Sequence, residues 1–400
     1  MIKRILKSVL DVQTRARLRL LFLDFKRLFI KNKIISSYSY SILNEKYANV
    51  FFGYYDVTPF SADEKSLLYL CLKDNQETID IKMYDIALKN NKTLAQSHAW
   101  NWQQGCRLRW FPGKENCIIF NDADESKYYS RILNIKTHQE TYLSFPLYDI
   151  DRNGMKGITT DFTRLGNKRP GYGFTLFPMG DVNKDTACID IINISNNTVE
   201  SSLTYGIVMQ ALGISDDKLE NCYVNHLSFS PSGNKFMFFF IEVQDDYHQA
   251  NMLVYDLTTK VLHVVEDQRK VSHYVWENDD SIIATSYERN FKCNYYRYSV
   301  DERNKPQVIM KDVLIFDGHP SLLKNGLLLT DTYPDNDCFQ TLYTIDEAGN
   351  KISTLMKLYS TPHFSGERRT DLHPRISPSN NYISIDTNVD GHRSMLLIKY

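Results

Sequence analysis

Four histidines occupy the same place in a repeated stretch of the sequence. His226, His273, His319 and His373 each lie five residues before the position of a turn proline, as in the stretch His-Leu-Ser-Phe-Ser-Pro that begins at His226. Arg107 takes the corresponding place in Arg-Leu-Arg-Trp-Phe-Pro. Imidazoles transfer protons near neutral pH and bind metals, so we expect a shared polar site where these side chains converge. The alternative is that each histidine closes a loop within its own repeat unit.

Further polar side chains fall at similar levels of the repeat and extend this candidate site. The neutral and acidic ones are Tyr54, Tyr55, Asp56, Gln103, Gln104, Tyr172, Asp331, Asp335 and Asp371. The arginines are Arg131, Arg164, Arg169, Arg368, Arg369, Arg375 and Arg393. Guanidinium groups bind carboxylates or phosphates through paired hydrogen bonds, and tyrosine rings offer stacking faces for sugars. For each arginine taken singly, the alternative is a salt bridge between neighbouring repeat units.

The repeat itself predicts the architecture. An apolar strand, a turn resembling Ser-Pro-x-Gly and a second apolar strand recur six times. An alternating strand that ends in an Asp/Asn/Thr turn recurs seven times, at spacings of about fifty residues. Further short strands follow, so that four strands form each unit. Residues 36–400 are therefore predicted to form an all-β, seven-bladed β-propeller. The alternating segment 37–43 is predicted to supply the missing strand of the last blade and to close the ring. A pair of β-sandwiches is the alternative.

Residues 1–35 are predicted to form a cationic amphipathic helix ahead of the propeller. Residues 1–33 contain ten Lys/Arg and two Asp, a net charge of +8, whereas the other 367 residues carry 37 basic and 46 acidic groups, a net of −9. A helix of this kind is typical of attachment to an anionic membrane surface. Packing on its own domain or on a partner protein is an equal alternative. The acidic body of the chain argues against nucleic-acid binding.

The cysteines and the hydropathy pattern predict a cytoplasmic protein. Seven scattered cysteines without any CxxC pair are typical of reduced thiols. No uncharged apolar run is long enough to span a bilayer, and no cleavage site follows the apolar stretch 20–30. If the N-terminal helix binds lipid, the protein is peripheral at the inner membrane face. Motifs for dinucleotide, P-loop, zincin and α/β-hydrolase chemistry are absent.

Several of these stretches resemble the oligogalacturonate lyases and their TolB-like propeller relatives. The resemblance rests on Asn225-His-Leu-Ser-Phe-Ser-Pro-Ser-Gly, His273-Tyr-Val-Trp, Gly318-His-Pro-Ser and Leu372-His-Pro-Arg-Ile-Ser-Pro-Ser, and it covers residues 50–400 as architecture. It implies a cytoplasmic enzyme that cleaves uronate oligosaccharides by β-elimination, with a divalent metal held by histidine and glutamine. Carried over, His226 is the base that abstracts the proton, and His319 and His373 are metal ligands.

The resemblance is incomplete at the motif that resembles Gln-x-x-His-Pro-His in the family. Here the stretch reads Thr370-Asp-Leu-His-Pro-Arg, so one glutamine and one histidine ligand are missing and the cofactor stays open. We expect the Arg375 guanidinium to point at the place of the cation. The segments around Tyr54, Trp102 and Arg169 have no counterpart in those lyases and suggest a branch concerned with bacterial surface polysaccharides.

These features favour a carbohydrate-active enzyme that acts on an acidic glycan at the channel mouth. In this hypothesis His226 is the base, and Arg107 and Arg169 stabilise the developing negative charge. The expected substrate-binding residues are Tyr55, Asp56, Gln104, Tyr172, His273, Arg375 and Arg393. The alternative is a membrane-associated glycosyl-transfer enzyme or accessory factor in capsule or O-antigen assembly, with a lipid-linked or nucleotide-linked sugar as its ligand. A non-catalytic interaction propeller is the second alternative.

Overall fold

Seven antiparallel sheets follow one another along the chain. The computed structural model describes residues 11–27, 30, 33–74, 76–245, 247–288, 293–309, 317–346 and 351–400. Within these ranges six sheets have four strands and one has five. The prediction of an all-β, seven-bladed propeller is confirmed.

The first five blades each contain four strands that are consecutive in the chain. The strands of the first blade are Ala48–Phe51, Ser66–Lys73, Ile79–Asp85 and Asn90–Ser97. Those of the second are Arg109–Trp110, Cys117–Ala123, Tyr128–Asn134 and Glu140–Leu143. The third is Asp149–Ile150, Lys156–Thr160, Ala187–Asn193 and Thr198–Thr204. The fourth is Cys222–Phe229, Lys235–Gln244, Tyr247–Asp256 and Leu262–Glu266. The fifth is Lys270–Asn278, Ser281–Tyr287, Cys293–Ser299 and Gln307–Val308.

The last two blades each take a strand from the N-terminal part of the chain. The sixth is Ser321–Leu322, Leu328–Asp331, Phe339–Asp346 and Lys351–Tyr359, with Ile34–Ser36 as its fifth strand. The seventh is Arg375–Ile376, Tyr382–Thr387 and Ser394–Lys399, with Tyr40–Leu43 as its fourth strand. The predicted donor segment 37–43 thus contains a strand that pairs with the end of the chain, with Tyr40 opposite Ile398.

Ile34–Ser36 differs from the sequence prediction, which placed residues up to 35 in the helical segment. This strand pairs antiparallel with the last strand of the sixth blade, and Ile34 lies opposite Leu358. Two β-branched isoleucines in a row favour an extended backbone over a helix. Three residues are too few to show an alternating pattern, so periodicity could not identify the strand.

Helices are few. Helix α1 is Val12–Arg27, and the predicted helical residues 1–10 lie outside the described residues. Helices α2 (Phe162–Lys168) and α3 (Tyr205–Leu212) are capped by Asp161 and Thr204, whose side chains accept backbone N–H groups. Short 3₁₀ helices are Asp216–Asn221 and Gly366–Arg368. None of the helices in the described ranges has the length and apolarity needed to cross a bilayer.

Apolar packing between the sheets holds the inner strands in place. In Lys235–Gln244 seven consecutive residues are buried, because this strand has a sheet neighbour on each face. Phe236, Phe238 and Phe240 point to one face and Phe239 to the other, as the two-residue period of a strand requires. All seven cysteines are also buried. The rigid blades fix the positions of the polar side chains that face the axis.

Candidate functional site

A distortion of the inner strands turns polar side chains toward the propeller axis. Arg107, His226 and His373 have positive φ angles of 55°, 55° and 45°, which are uncommon for residues other than glycine. In the fourth blade the register shifts between Asn225 and Ser228, so His226 lies in a β-bulge. Bulges redirect side chains and occur often beside functional sites. Three of the five residues at the shared position before the turn therefore have the same backbone conformation, whereas His273 and His319 do not have a positive φ.

Four imidazoles surround the phenol ring of Tyr54. The centroid of this ring lies 5.1 Å from that of His226, 6.4 Å from His273, 6.0 Å from His319 and 4.8 Å from His373. The rings of His273 and His319 are 4.2 Å apart, and those of His319 and His373 are 4.5 Å apart. The four repeat histidines therefore meet around one aromatic side chain, as their common position predicts.

Three of these imidazoles are oriented by hydrogen bonds at Nδ1. The Nδ1 atom lies 2.9 Å from Asp317 Oδ1 in His273, 2.9 Å from Asp331 Oδ1 in His319, and 2.9 Å from the Gly53 carbonyl oxygen in His373. The Nε2 atoms of His319 and His373 are buried and have no hydrogen-bond partner within the described part of the chain. An oxygen hydrogen-bonded to one ring nitrogen and a free lone pair on the other nitrogen are the arrangement of a metal-binding histidine.

His319 and His373 form a candidate metal site together with Asp371. The ligand atoms of these three residues lie within 4.8 Å of one another, and His373 Nε2 is 3.9 Å from Asp371 Oδ2. The Arg369 Nε atom holds the same carboxylate oxygen at 2.8 Å. Two imidazoles and a carboxylate are suitable ligands for a divalent transition metal. The residues therefore fit such an ion, with Asp371 as a ligand that the sequence reasoning did not assign.

A cavity of about 310 Å³ opens beside this cluster, and we call it the axial cavity. Its basic side chains are Arg169, Lys270 and Arg369, and its carboxylate is Asp317. That carboxylate is already engaged, because Ser272, His273 and Thr285 hydrogen-bond to it. Other lining residues are Tyr54, Tyr172, Tyr223, Asn225, His226, His248, Tyr287 and Tyr333. The excess of positive charge suits an anionic ligand.

Tyr172 arranges two of the cations at the cavity. The Arg169 guanidinium lies 5.6 Å from the centre of the Tyr172 ring, and Arg369 Nη2 donates a hydrogen bond of 2.8 Å to the Tyr172 hydroxyl. Burial and, after it, the nearby Arg169 lower the pKa of Lys270. An anion placed between Arg169 and Lys270 would stabilise the charged forms of both side chains, because a carboxylate would offset their mutual repulsion.

His226 is uncharged in this environment. Its side chain is buried against the ring of Phe239, with centroids 5.2 Å apart. Burial, followed by the neighbouring His273 and Arg107, holds the pKa of His226 well below its usual range. A neutral imidazole can accept a proton, so His226 has the electrostatic properties of a general base.

Arg107 does not line the axial cavity. Its Nη2 atom lies 2.9 Å from Asp56 Oδ2, and its Nε atom donates to the Tyr148 carbonyl oxygen at 2.8 Å. Both side chains of the ion pair are less than a tenth exposed. Arg107 thus forms a salt bridge between neighbouring blades, which was the alternative interpretation of this arginine.

Arg375 also differs from its expected placement. Its Nη2 atom lies 2.9 Å from Asp386 Oδ2 and 3.0 Å from the Gly53 carbonyl oxygen. The expectation that this guanidinium points at the place of the cation is wrong, because the buried carboxylate of the adjacent strand attracts it. Arg393 is likewise engaged, since it donates to the Trp102 carbonyl oxygen at 2.7 Å.

Tyr55, Asp56 and Arg375 line a second cavity of about 330 Å³, which we call the opposite cavity. Lys270 lines the axial cavity and is the first residue of its inner strand. Ile376 lines the opposite cavity and is the last residue of its inner strand. The two cavities therefore lie at opposite ends of the axis. Gln104 lines neither cavity, because its amide is buried and donates to the Tyr148 hydroxyl at 2.6 Å.

Of the residues given a role from the sequence, Arg169, Tyr172, His226 and His273 line the axial cavity, as does Arg369 from the wider polar set. Sequence reasoning missed Lys270, although this residue lies only three positions before His273 in the same inner strand. It also assigned no role to Tyr54, which was noted only as a polar residue at the right level. Knowledge of which side chains face the axis was needed to select these two.

Comparisons with known proteins identify the fold. No protein-family model and no curated protein matches the chain. Among solved structures, oligogalacturonate lyase from Vibrio parahaemolyticus is 11% identical, with a TM-score of 0.63 over 92% of this chain and 98% of that protein. An oligogalacturonate lyase in complex with manganese is 13% identical, with a TM-score of 0.63 over the same shares of the two chains, 92% and 98%.

More distant propellers also match. The β-propeller domain of the trilobed protease from Pyrococcus furiosus is 10% identical, with a TM-score of 0.52 over 89% of this chain and 94% of that one. At such identities the similarity concerns architecture only. The chain therefore has the β-propeller fold that is found in oligogalacturonate lyase.

Proposed function

We propose that this protein is a lyase that cleaves an acidic oligosaccharide by β-elimination in the axial cavity. The observation that carries the proposal is one cavity that combines the neutral imidazole of His226 with the cations Arg169, Lys270 and Arg369. β-Elimination next to a carboxylate needs a base for the C5 proton and positive charge for the developing enolate. The fold similarity to oligogalacturonate lyase supports the same class of reaction.

Each group has a separate task in this reaction. Arg169 and Arg369 bind the uronate carboxylate, and their guanidinium groups fix its plane through paired hydrogen bonds. Lys270 adds charge at a position where burial favours pairing with an anion. His226 accepts the C5 proton. His319, His373 and Asp371 would hold the divalent ion, which supplies Lewis-acid stabilisation of the enolate when bound.

The test uses 4-linked uronate oligosaccharides of several types, with and without Mn²⁺, and follows the ultraviolet absorbance of the unsaturated product. We expect product with the full chain, and a loss of about 10²–10⁴-fold in the His226→Gln variant. His98→Gln is the matched control, since the His98 side chain is 58% exposed and remote from the axis. No unsaturated product from any uronate would refute the proposed function.

A second candidate function places the protein at a membrane, as an enzyme or factor that handles lipid-linked or nucleotide-linked sugars. Helix α1 favours it, because Leu18 and Leu21 are 48% and 65% exposed on a helix with five basic residues and one acidic residue. Leu23 of the same helix packs on the propeller near Val389.

Liposome pelleting tests this second candidate. We expect the full chain to pellet with vesicles that contain anionic phospholipid and to remain in solution with purely zwitterionic vesicles. A Leu18→Ser, Leu21→Ser variant keeps the charge but removes apolar area, and it should lose binding. Equal pelleting of the variant and the parent would refute attachment through this helix.

A further inference from the structure

Among the residues that the structure describes, none is a hydrogen-bond partner of the Tyr54 hydroxyl, although the Tyr54 ring is the centre of the histidine cluster. The side chain is 2% exposed, and its oxygen is buried without a donor or acceptor within reach. A buried hydroxyl left without a partner has lost its hydration and gained no hydrogen bond in return. Such a group calls for an explanation, and a catalytic role is one of the few that apply. Tyr54 also lines the axial cavity, so a substrate there can supply the missing partner.

Tyr54 and His226 are neighbours in the axial cavity. Their ring centroids are 5.1 Å apart, and both side chains line the cavity. A phenol has a proton that it can donate, and an imidazole has a nitrogen that can accept one. The pair therefore provides the acid and the base that an elimination needs.

We propose that Tyr54 is the general acid of the elimination and donates its proton to the leaving glycosidic oxygen. This inference rests on the proposed function and adds a second catalytic residue to it. The C5–H bond breaks and its proton goes to Nε2 or Nδ1 of His226. The C4–O bond breaks, its electron pair goes to the oxygen, and that oxygen takes the Tyr54 proton. The electron pair of the C5–H bond becomes the C4–C5 double bond.

The proton that Tyr54 donates and the proton that His226 accepts balance each other within this pair of residues. After one turnover Tyr54 is a phenolate and His226 is an imidazolium, and both states are disfavoured by burial. Return of the proton from His226 to Tyr54, directly or through a water molecule, restores the starting state. No further co-reactant is needed.

The positions of the acid and the base also select the substrate. Tyr54 and His226 both line the axial cavity with ring centroids 5.1 Å apart, and in the proposed reaction they act on the same face of a bound sugar ring. The C5 proton and the C4 oxygen must then leave from the same face. In 4-linked glucuronate and mannuronate these two groups lie on the same face, whereas in galacturonate they lie on opposite faces. We therefore expect uronates of the glucuronate type at C4 to be the better substrates, by at least tenfold in kcat/KM.

The test compares Tyr54→Phe with the parent protein. We expect a fall in kcat of about 10²–10⁴-fold with little change in KM, because only the proton donor is lost. Tyr343→Phe is the matched control, since the Tyr343 hydroxyl is also buried without a partner but lies in the core of the sixth blade. Both variants should keep the melting temperature of the parent, because neither loses a hydrogen bond.

A substrate with a nitrophenyl ether at the C4 oxygen separates general acid catalysis from a structural effect. Nitrophenolate leaves without a proton, so Tyr54→Phe should recover most of the parent rate on this compound. No lyase activity of the parent on any uronate would overturn the proposed function together with this inference. Activity that is unchanged in Tyr54→Phe, or no recovery on the activated compound, would overturn the acid role alone. Equal rates on galacturonates and glucuronates would overturn the substrate preference.

Discussion

Replacement of Arg375 by methionine should destabilise the protein by about 3–5 kcal/mol, because it breaks a buried ion pair from one side. The Arg375 side chain is 0% exposed and that of Asp386 is 2% exposed, so neither charge has water as an alternative partner. The variant loses one hydrogen bond and a second ion-pair contact of 2.9 Å to the carboxylate, together with the hydrogen bonds to the Gly53 and Tyr54 carbonyl oxygens. Methionine retains most of the apolar stem, which keeps the cavity contribution small.

A double variant isolates the contribution of the unpaired charge. Arg375→Met with Asp386→Asn leaves an uncharged amide that can still accept the Phe52 N–H group. We expect it to be about 2 kcal/mol more stable than Arg375→Met alone, although it carries one more substitution. Lys156→Met is the control, because Lys156 and Glu200 form a pair that is about one-third exposed, and its loss should cost about 0–1 kcal/mol.

Equilibrium unfolding in urea, followed by circular dichroism and by tryptophan fluorescence, measures these differences, and coincident curves justify a two-state treatment.

The pH dependence of the free energy of unfolding tests the same account independently. Burial, opposed by Arg375, already raises the pKa of Asp386 above 3.8, and without the arginine it rises further. The folded variant then holds this proton over a wider pH range than the folded parent does, so its deficit grows as the pH rises past the pKa of Asp386 in the parent and is smaller at lower pH. A cost below 1 kcal/mol for Arg375→Met, or a double variant less stable than the single one, would refute this account.

Three further predictions concern the axial cavity. Arg169→Ala or Lys270→Met should raise KM for a uronate by about 10–100-fold, which initial-rate kinetics measures, whereas the exposed Arg152→Ala should not. Asp331→Asn should weaken Mn²⁺ binding by about 10–100-fold in calorimetry, because His319 loses its orienting carboxylate. The acid limb of kcat/KM should lie below pH 6.5, since burial depresses the pKa of His226, and a limb at or above that pH contradicts the role of this imidazole as base.

The repeat carried most of the information that predicted the fold. Turn signals and alternating strands recur in every blade, and both are local properties that a single sequence displays. The strand Ile34–Ser36 was missed because it is short and pairs with residues more than three hundred positions away. Its assignment depends on tertiary contact rather than on local propensity.

The site was predictable in position but less so in chemistry. Equivalent places in the repeat brought His226, His273, His319 and His373 together, because the propeller turns one repeat position into a ring. The same rule failed for Arg107 and Arg375, which occupy that ring or its edge but turn to Asp56 and Asp386. A buried guanidinium takes the nearest carboxylate, and which carboxylate is nearest depends on the packing of neighbouring strands.

Tyr54 and Tyr55 together separate the axial cavity from the opposite cavity. The Tyr55 hydroxyl is fixed by the backbone of Tyr274, at 2.9 Å from its oxygen and 2.8 Å from its nitrogen, and the two cavities share no lining residue. Under the proposed function, a polysaccharide has no continuous path between the two cavities through the described residues, and product must back out by the route along which substrate arrived. Such a blind pocket admits the end of a glycan more readily than its middle, and it makes the released fragment a competitor of the next molecule to enter.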